Sequence, residues 1–174
     1  MIRWRRRGDL SSIVRLVRKE LIPLSPHQHP RDRRLTDDIK RRLTRGVTLV
    51  VANARGGDPI AFLHLEVQQE TLFIDLLAVD AGYQGRHLGS ELMRQAEAYG
   101  RNHGCTRARL FVDEGNDKGQ AFYRRLGYTV KEYWAAYNCY ELVKPLNANH
   151  PLFTLGVPFE AAWHQSGFVL EAWT

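Results

Sequence analysis

The sequence predicts an α/β (α+β) fold, because segments patterned like β-strands alternate with segments that have the period of an amphipathic helix. Three observations carry this prediction. Residues 47–79 contain three short apolar runs separated by turn residues, which is typical of consecutive strands. Residues 10–21 place apolar side chains on one helical face. Residues 72–101 run from an apolar strand through a short polar turn directly into a second helix.

The N-terminal region is predicted to form one strand and two helices. Asp9 precedes the first apolar helical segment and is a suitable N-cap residue. Pro23 and Pro26 follow that segment and break the helix. The predicted elements are a strand over residues 2–7, a helix over 10–21, a loop over 24–34 and a basic helix over 37–45 that Thr36 caps.

The rest of the domain is predicted to contribute most of the strands. Residues 55–59, with the sequence Arg-Gly-Gly-Asp-Pro, form a strong turn signal between two strands. Gly104 ends the helix that follows the polar turn. The predicted elements are strands over residues 47–54, 60–67 and 72–79, a helix over 91–101, a strand over 107–113, a short helix ending at 126, and a hairpin of 128–134 with 138–143.

The composition is that of an ordinary globular domain. The 174 residues are 44% hydrophobic and 25% charged, which suits one domain with a core of its own. No run of eighteen apolar residues occurs, and the N-terminus lacks the apolar region of a secretory signal, so we expect a cytoplasmic protein without a membrane partner. Cys105 and Cys139 lie in apolar-patterned stretches and are expected to be buried, reduced thiols.

The net charge of +6 restricts the choice of partner. A basic nucleic-acid binder is one interpretation, but the arginine clusters lack interleaved aromatic residues and a groove-reading motif, so we do not expect nucleic acid as the partner. A basic surface that attracts a polyanionic cofactor explains the same charge. His27 and His29 form a His-x-His pair without further ligands at useful spacing, and we expect no metal site there.

The turn after the apolar strand of residues 72–79 has the composition of a phosphate-binding loop. It contains Gln84, Gly85, Arg86, His87, Leu88, Gly89 and Ser90, and the predicted helix follows at once. Backbone N–H groups at a helix N-terminus have no intrahelical partners and favour an anion. Glycine lets the main chain approach that anion closely, and Arg86 adds a full positive charge.

A second motif lies about thirty residues downstream and consists of Asn116, Tyr123, Gly127 and Tyr128. Together the two motifs resemble those of the GNAT acetyltransferase superfamily, Gln/Arg-x-x-Gly-x-Gly/Ala followed by Asn-x6-Tyr-x3-Gly-Phe/Tyr. The resemblance extends over about residues 2–146 by order of elements. It implies a mixed, mostly antiparallel sheet that is splayed at its centre and flanked by helices.

The resemblance also implies how a donor, acetyl-CoA, is held. The pantetheine arm would bond the main chain of Leu77, Ala78 and Val79 like an extra strand, and the amides of residues 85–90 would hold the pyrophosphate. Asn116 would contact the pantetheine or only shape its loop. His87 departs from the motif, because the family usually has glycine there. Either the loop does not need the glycine conformation, or phosphate is held differently, and the imidazole is either a phosphate contact or an exposed side chain.

The resemblance identifies Tyr123 as the general acid that protonates the leaving thiolate. It assigns no base, since family members vary at that position and several use only water. The sequence itself offers candidates. Asp75 interrupts an apolar strand, where alternation places it on one side with Phe73, Leu77 and Val79.

On the preceding strand His64 and Glu66 share one face. A hairpin loop at residues 69–70 would pair His64 opposite Asp75 and Glu66 opposite Phe73. The three ionisable groups would then form a partly buried cluster near the thioester, and one of them would take the proton of the amine. The alternative is a structural polar cluster without a catalytic role.

We therefore expect residues 1–146 to form an N-acetyltransferase that transfers an acetyl group from acetyl-CoA directly to a primary amine, a small molecule or a peptide. No acyl-enzyme is expected, because neither cysteine lies at a motif position. The alternative is a non-catalytic acyl-CoA-binding regulatory module. Residues 147–174 are rich in apolar side chains and are expected to pack on the domain or at a homodimer interface.

Overall fold

A seven-stranded sheet organises the part of the chain that the computed structural model describes, residues 1–25, 33–54 and 56–146. The strands are β1 (Ile2–Trp4), β2 (Val47–Ala52), β3 (Pro59–Gln68), β4 (Thr71–Val79), β5 (Arg107–Asp113), β6 (Thr129–Trp134) and β7 (Cys139–Pro145). The helices are α1 (Leu10–Leu16), α2 (Leu35–Arg42), α3 (Leu88–Asn102) and α4 (Asp117–Arg125).

The sheet is mixed and mostly antiparallel, as predicted. Its strand order is β1-β2-β3-β4-β5-β7-β6, and among the described strands β4 and β5 are the parallel pair. Helix α3 makes the crossover connection that a parallel pair requires. The pairing of β4 with β5 extends from Thr71–Arg107 to Ile74–Leu110, although both strands continue beyond those residues. The sheet is therefore splayed at its centre.

The two faces of the sheet carry separate apolar cores. One core lies between the sheet and α3 and includes Leu63, Leu72, Leu92, Met93 and Leu110. The other lies between β2, β3, β4 and the helices α1 and α2, and includes Ile13, Leu16, Ile39, Val50 and Phe62. The alternating side chains of β3 supply both cores, as expected for a central strand that is buried on both faces.

Most predicted elements are confirmed, with different ends. The strand over residues 107–113 has the predicted bounds, and β6 and β7 form the predicted hairpin. The first strand ends at Trp4, where its pairing with β2 ends, rather than at residue 7. Helix α3 begins at Leu88, three residues earlier than predicted. Helix α2 begins at Leu35, so the prediction that Thr36 caps it is wrong.

The first helix differs most from its prediction. Helix α1 ends at Leu16, and the chain continues through a π-helical turn at Val17–Leu21. Asp9 precedes α1, but its side chain does not cap it. The Asp9 carboxylate instead accepts hydrogen bonds from both terminal nitrogens of Arg3, at 2.7 and 2.8 Å. A bidentate ion pair is stronger than a single capping bond, so the carboxylate points to β1.

Both cysteines are free and buried, as predicted. Among the described residues, no helix has the length and apolar character needed to cross a membrane. The predicted His27 and His29 pair and the predicted C-terminal extension, 147–174, lie outside the described residues.

Candidate active site

A cavity of about 150 Å³ opens where β4 and β5 separate. Asp75 contributes to its wall from β4, Phe111 from β5 and Tyr123 from α4. Leu21, the last residue of the π-helical turn, and Leu24 close it from the α1 side. The cavity thus combines apolar side chains with two carboxylates, those of Asp75 and Asp113, and a phenol. Its volume is about that of a cavity that holds a benzene-sized ligand.

A β-bulge at Asp75 changes the predicted strand register. Glu66 lies opposite Phe73, as predicted, but His64 lies opposite Leu76, so the prediction that His64 pairs with Asp75 is wrong. The register shifts between His64 and Leu65, which leaves Asp75 as the extra residue of β4. A bulge kinks the strand and redirects a side chain. Here the side chain of the extra residue, Asp75, lies on the cavity wall.

The same bulge reverses the alternation in the second half of β4. Leu77 and Val79 pack against the core on the α3 side, whereas Leu76 and Ala78 pack against the α1 and α2 side. The prediction that Asp75 shares its side with Leu77 and Val79 is therefore wrong. An extra residue shifts a period of two by one, so every later side chain changes face.

The predicted cluster of ionisable groups is nevertheless present. One ligand-type atom from each of His64, Glu66 and Asp75 lies within 4.8 Å of the others. Such a donor set suits a divalent metal ion in principle. The guanidinium of Arg42, however, already contacts both carboxylate oxygens of Asp75.

Arg42, on α2, is the site residue that the sequence did not reveal. Its Nε donates to Oδ2 of Asp75 at 2.9 Å, and its Nη2 donates to Oδ1. The Arg42 side chain is 16% exposed and that of Asp75 is 6% exposed, so the pair is mostly removed from water. The basic character of α2 is visible in the sequence, but its periodicity does not show which arginine points inward.

His64 is fully buried between β2 and β4. Its Nδ1 lies 2.9 Å from Thr48 Oγ1, and its Nε2 has no hydrogen-bond partner among the described residues. Burial lowers the pKa of His64, which favours the neutral imidazole. Desolvation raises the pKa of Glu66, and the charge of nearby Asp75 acts in the same direction.

Tyr123 reaches the cavity from the side of α4. Its ring packs edge-to-face against Phe122 and Tyr128, with centroids 5.1 and 5.9 Å away. Desolvation raises the pKa of the Tyr123 hydroxyl above its usual value, so this group keeps its proton at neutral pH. Asn116 caps α4, because its Oδ1 accepts a hydrogen bond from the Gly119 amide at 2.9 Å, and it also contributes to the cavity wall.

The loop before α3 adopts left-handed backbone conformations. Gly85 has φ of 75° and His87, the N-cap residue of α3, has φ of 59°. The possibility that the loop does not need the glycine conformation at position 87 is therefore wrong, because His87 itself adopts a positive φ. Histidine is among the residues more often found there, but such a conformation carries strain. Leu88, Gly89 and Ser90 then supply the first amides of the helix.

Other motif residues brace this loop. The side-chain amide of Gln84 donates to the Val79 carbonyl at 3.0 Å and ties the loop to the end of β4. A Cβ atom on Gly89 would lie 3.2 Å from the Phe122 ring, so glycine here allows α4 to pack closely on α3. The guanidinium of Arg86 lies over the ring of Tyr83 at 5.1 Å from its centroid.

The edge of β4 beyond the splay is accessible to an added strand. Leu77, Ala78 and Val79 pair with β3 on one side. On the other side, within the described part of the chain, the pairing with β5 has ended at Ile74. The backbone groups along this edge are of the kind that an extended ligand bonds in strand addition, and of these the Val79 carbonyl already accepts a hydrogen bond from Gln84.

Comparisons with known proteins agree with this architecture. A model described as the acetyltransferase (GNAT) family matches residues 11–128. Blasticidin-S acetyltransferase of Streptomyces morookaense is 38% identical over 85 residues, 46% of this chain and 61% of that protein. A mycothiol acetyltransferase of Corynebacterium glutamicum is 34% identical over 83 residues, 47% of this chain and 28% of that protein. The matches thus span less than two thirds of either relative.

Solved structures show the same fold at lower identity. Ard1 from Thermoplasma volcanium has a TM-score of 0.68 and 22% identity, over 84% of this chain and 97% of that one. The PaiA N-acetyltransferase from Thermoplasma acidophilum, solved in complex with coenzyme A, has a TM-score of 0.68 and 18% identity, over 83% and 99% of the two chains.

Proposed function

Because the chain belongs to the GNAT acetyltransferase family, we propose that it transfers an acetyl group from acetyl-CoA directly to a primary amine, a small molecule or a peptide. The observation that carries the proposal is the cavity at the splay of β4 and β5, into which the sheet directs Asp75 and α4 directs Tyr123. A carboxylate and a protonated phenol in one cavity can accept one proton and donate another.

The donor would lie along the accessible edge of β4. The main chain of Leu77, Ala78 and Val79 would bond the pantetheine arm, and the amides of Gly85 to Ser90 would bind the pyrophosphate. His87 holds the turn that aims these amides, and Arg86 adds charge at the rim. When bound, acetyl-CoA supplies a thioester-activated acetyl group.

Proton transfer would be divided between the two sides of the cavity. The amine must lose a proton before it can attack, and Asp75, directly or through a water molecule, is the carboxylate of the predicted cluster on the cavity wall that would take it. His64 and Glu66 each have a polar atom within 4.8 Å of the Asp75 carboxylate and contribute to its electrostatic surroundings. Tyr123 retains its proton until the thiolate departs and then donates it.

The position of the thiols supports the proposal of direct transfer. Cys105 and Cys139 are buried, and burial raises the pKa of both. Neither lines the cavity. A thiol of this kind is a poor nucleophile, so we propose no covalent acyl-enzyme.

Two measurements test the function. Calorimetry with acetyl-CoA should show saturable binding, and a thiol-release assay over a pooled amine library should show acceptor-dependent release of coenzyme A. Binding without release over any acceptor would contradict transfer. No binding of coenzyme A, with or without an acyl group, would contradict the whole proposal.

One observation favours the alternative, a non-catalytic acyl-CoA-binding regulatory module. Both oxygens of Asp75 already accept hydrogen bonds from Arg42, so an amine would have to share them with the guanidinium. The thiol-release assay separates the two proposals, because a binding module would take up acetyl-CoA tightly and release no thiol with any amine present.

The apolar side chains of residues 147–174 support a contact surface, either on their own domain or between two copies of the chain. Light scattering on the full chain tests the second form of this proposal. A mass of twice 20.1 kDa is expected for a homodimer, and a monomeric mass at assay concentration would contradict it.

A further inference from the structure

Arg109 occupies a distinctive place beside the cavity. It lies on β5 opposite Phe73, one residue before the pairing of β4 with β5 ends. Its neighbours Ala108 and Leu110 belong to the core on the α3 side, so Arg109 is on the opposite face. Asp75 also projects on the side away from α3, two residues beyond Phe73, at the cavity wall.

Two aromatic rings hold the Arg109 guanidinium. Its Cζ lies 5.5 Å from the ring centroid of Phe73 and 5.1 Å from that of Phe111. The two rings pack edge-to-face at 6.2 Å. Stacking of this kind orients the planar group while its N–H edge stays available for hydrogen bonds. The side chain is 25% exposed, so a ligand can reach it.

The hydrogen-bond donors of Arg109 are not used by the described residues. Its Nε is buried without a hydrogen-bond partner, and the nearest carboxylate oxygen, on Glu141, is 3.7 Å away. Glu141 instead accepts hydrogen bonds from Lys131 at 3.1 Å and from Trp134 at 3.3 Å. Arg109 and Lys131 therefore share one buried carboxylate, and Lys131 is the closer of the two.

Phe111 is a shared neighbour of the cavity and of Arg109, because its ring lines the cavity and also stacks on the guanidinium. We propose that Arg109 binds an oxyanion of the acceptor, so that the acceptor is an amine that also carries a carboxylate. The inference rests on the proposed function, since it places the amine beside Asp75. A guanidinium fork matches a carboxylate in bidentate geometry, and it matches a phosphate equally well.

An acceptor series, in which the carbon chain between the amine and the carboxylate grows stepwise, tests the inference. The probes are β-alanine, 4-aminobutyrate, 5-aminovalerate and 6-aminohexanoate, each compared with its own amide, which keeps the length and removes the charge. Ethanolamine and O-phosphoethanolamine form a separate arm that tests phosphate as the oxyanion. Several chain lengths are needed because the acceptor must span from Asp75 to Arg109. Arg109 lies opposite Phe73, two residues before Asp75 on β4, which is about 7 Å along the backbone.

For at least one chain length we expect the carboxylate to exceed its amide in kcat/KM by about tenfold or more, since a charge-assisted pair is lost in the amide. The Arg109→Met variant should remove that preference, mainly through KM, and leave the amides unchanged. Arg109→Lys should restore part of it. Arg107→Met is the matched control, because Arg107 lies on the same face of β5 two residues farther from the splay and donates to Thr71.

Equal use of carboxylates and amides at every length, or an unchanged preference in Arg109→Met, would overturn the inference and leave the transferase intact. Preference for O-phosphoethanolamine alone would overturn the carboxylate assignment. If no amine is acetylated, calorimetry with 4-acetamidobutyrate and its amide replaces the kinetic assay. The inference then requires that the carboxylate binds more tightly than the amide and that Arg109→Met loses this binding. Absence of acetyl-CoA binding would instead count against the proposed function.

Discussion

The two halves of the sheet, on either side of the splay, are built differently. Strands β1 to β4 have helices on both faces, α1 and α2 on one and α3 on the other. Strands β5, β7 and β6 have α3 and α4 on one face, and within the described residues no helix covers the opposite face. Phe62 in the first half is fully buried, whereas Trp134 in the second is 39% exposed.

The difference extends to the charged groups. In the first half the Asp75 carboxylate is bound by Arg42, and His64 and Glu66 stand close by. In the second half the guanidinium of Arg109 rests on aromatic rings without a hydrogen bond from its Nε. In the proposed function the first half supplies the carboxylate that takes a proton, and in the further inference the second half supplies the guanidinium that binds the acceptor.

The largest effect expected from this comparison concerns stability. Phe62→Ala should reduce the free energy of unfolding by about 3–5 kcal/mol, because the ring is enclosed on all sides. Phe111→Ala should cost about half as much or less, since its ring is already partly in water. Urea denaturation at pH 7.5 measures both. Equal losses would mean that the two halves are equally well packed.

The next effect concerns the ion pair at the bulge. Arg42→Met should reduce the free energy of unfolding by about 3 kcal/mol, because it leaves the mostly buried Asp75 carboxylate without its partner. Arg41→Met is the matched control, since Arg41 pairs with Asp38 in an exposed position and should give no measurable loss. A similar outcome for both variants would show that Arg42 does not hold Asp75 in solution.

The third effect is kinetic. Tyr123→Phe should lower kcat by about a hundredfold, because general-acid catalysis is lost, while the affinity for acetyl-CoA stays the same. Tyr140→Phe serves as the control, since Tyr140 is a half-buried tyrosine of β7 that does not line the cavity. Unchanged turnover in Tyr123→Phe would remove Tyr123 from the mechanism.

The smallest effect is the dependence of stability on pH. Burial lowers the pKa of His64 in the folded protein. As the pH falls below about 6.5, His64 therefore becomes protonated in the unfolded chain before it does in the folded protein, which favours unfolding. Stability should therefore decrease from pH 7.5 to pH 5.5, and His64→Gln should flatten this dependence. Denaturation midpoints across that range measure it, and an equally steep decrease in His64→Gln would assign it to other groups.

The sequence predicted the parts of the fold that local pattern determines. Strand β5 is found at its predicted bounds because its alternation continues without interruption, and the β6–β7 hairpin follows from two short strands around a tight turn. The cluster of His64, Glu66 and Asp75 was also expected, because alternation places His64 and Glu66 on one face whatever the details of pairing.

The parts that were missed depend on long-range geometry. The bulge at Asp75 has no local signal beyond the aspartate that interrupts the apolar run, yet it changes the face of every later residue in β4. The partner of Asp75 lies 33 positions away on a helix with three consecutive basic residues, and periodicity cannot single out Arg42. The place of Arg109 depends on the point at which β4 and β5 separate, which side-chain pattern does not encode.

Hydrogen–deuterium exchange with and without acetyl-CoA tests the central claim most directly, namely that the donor lies along β4 at the splay. Added acetyl-CoA should slow exchange of the amides in residues 76–79 and 85–90, and leave those of β1 and β2 unchanged. Protection confined to other segments, with residues 76–79 and 85–90 exchanging as before, would contradict the account.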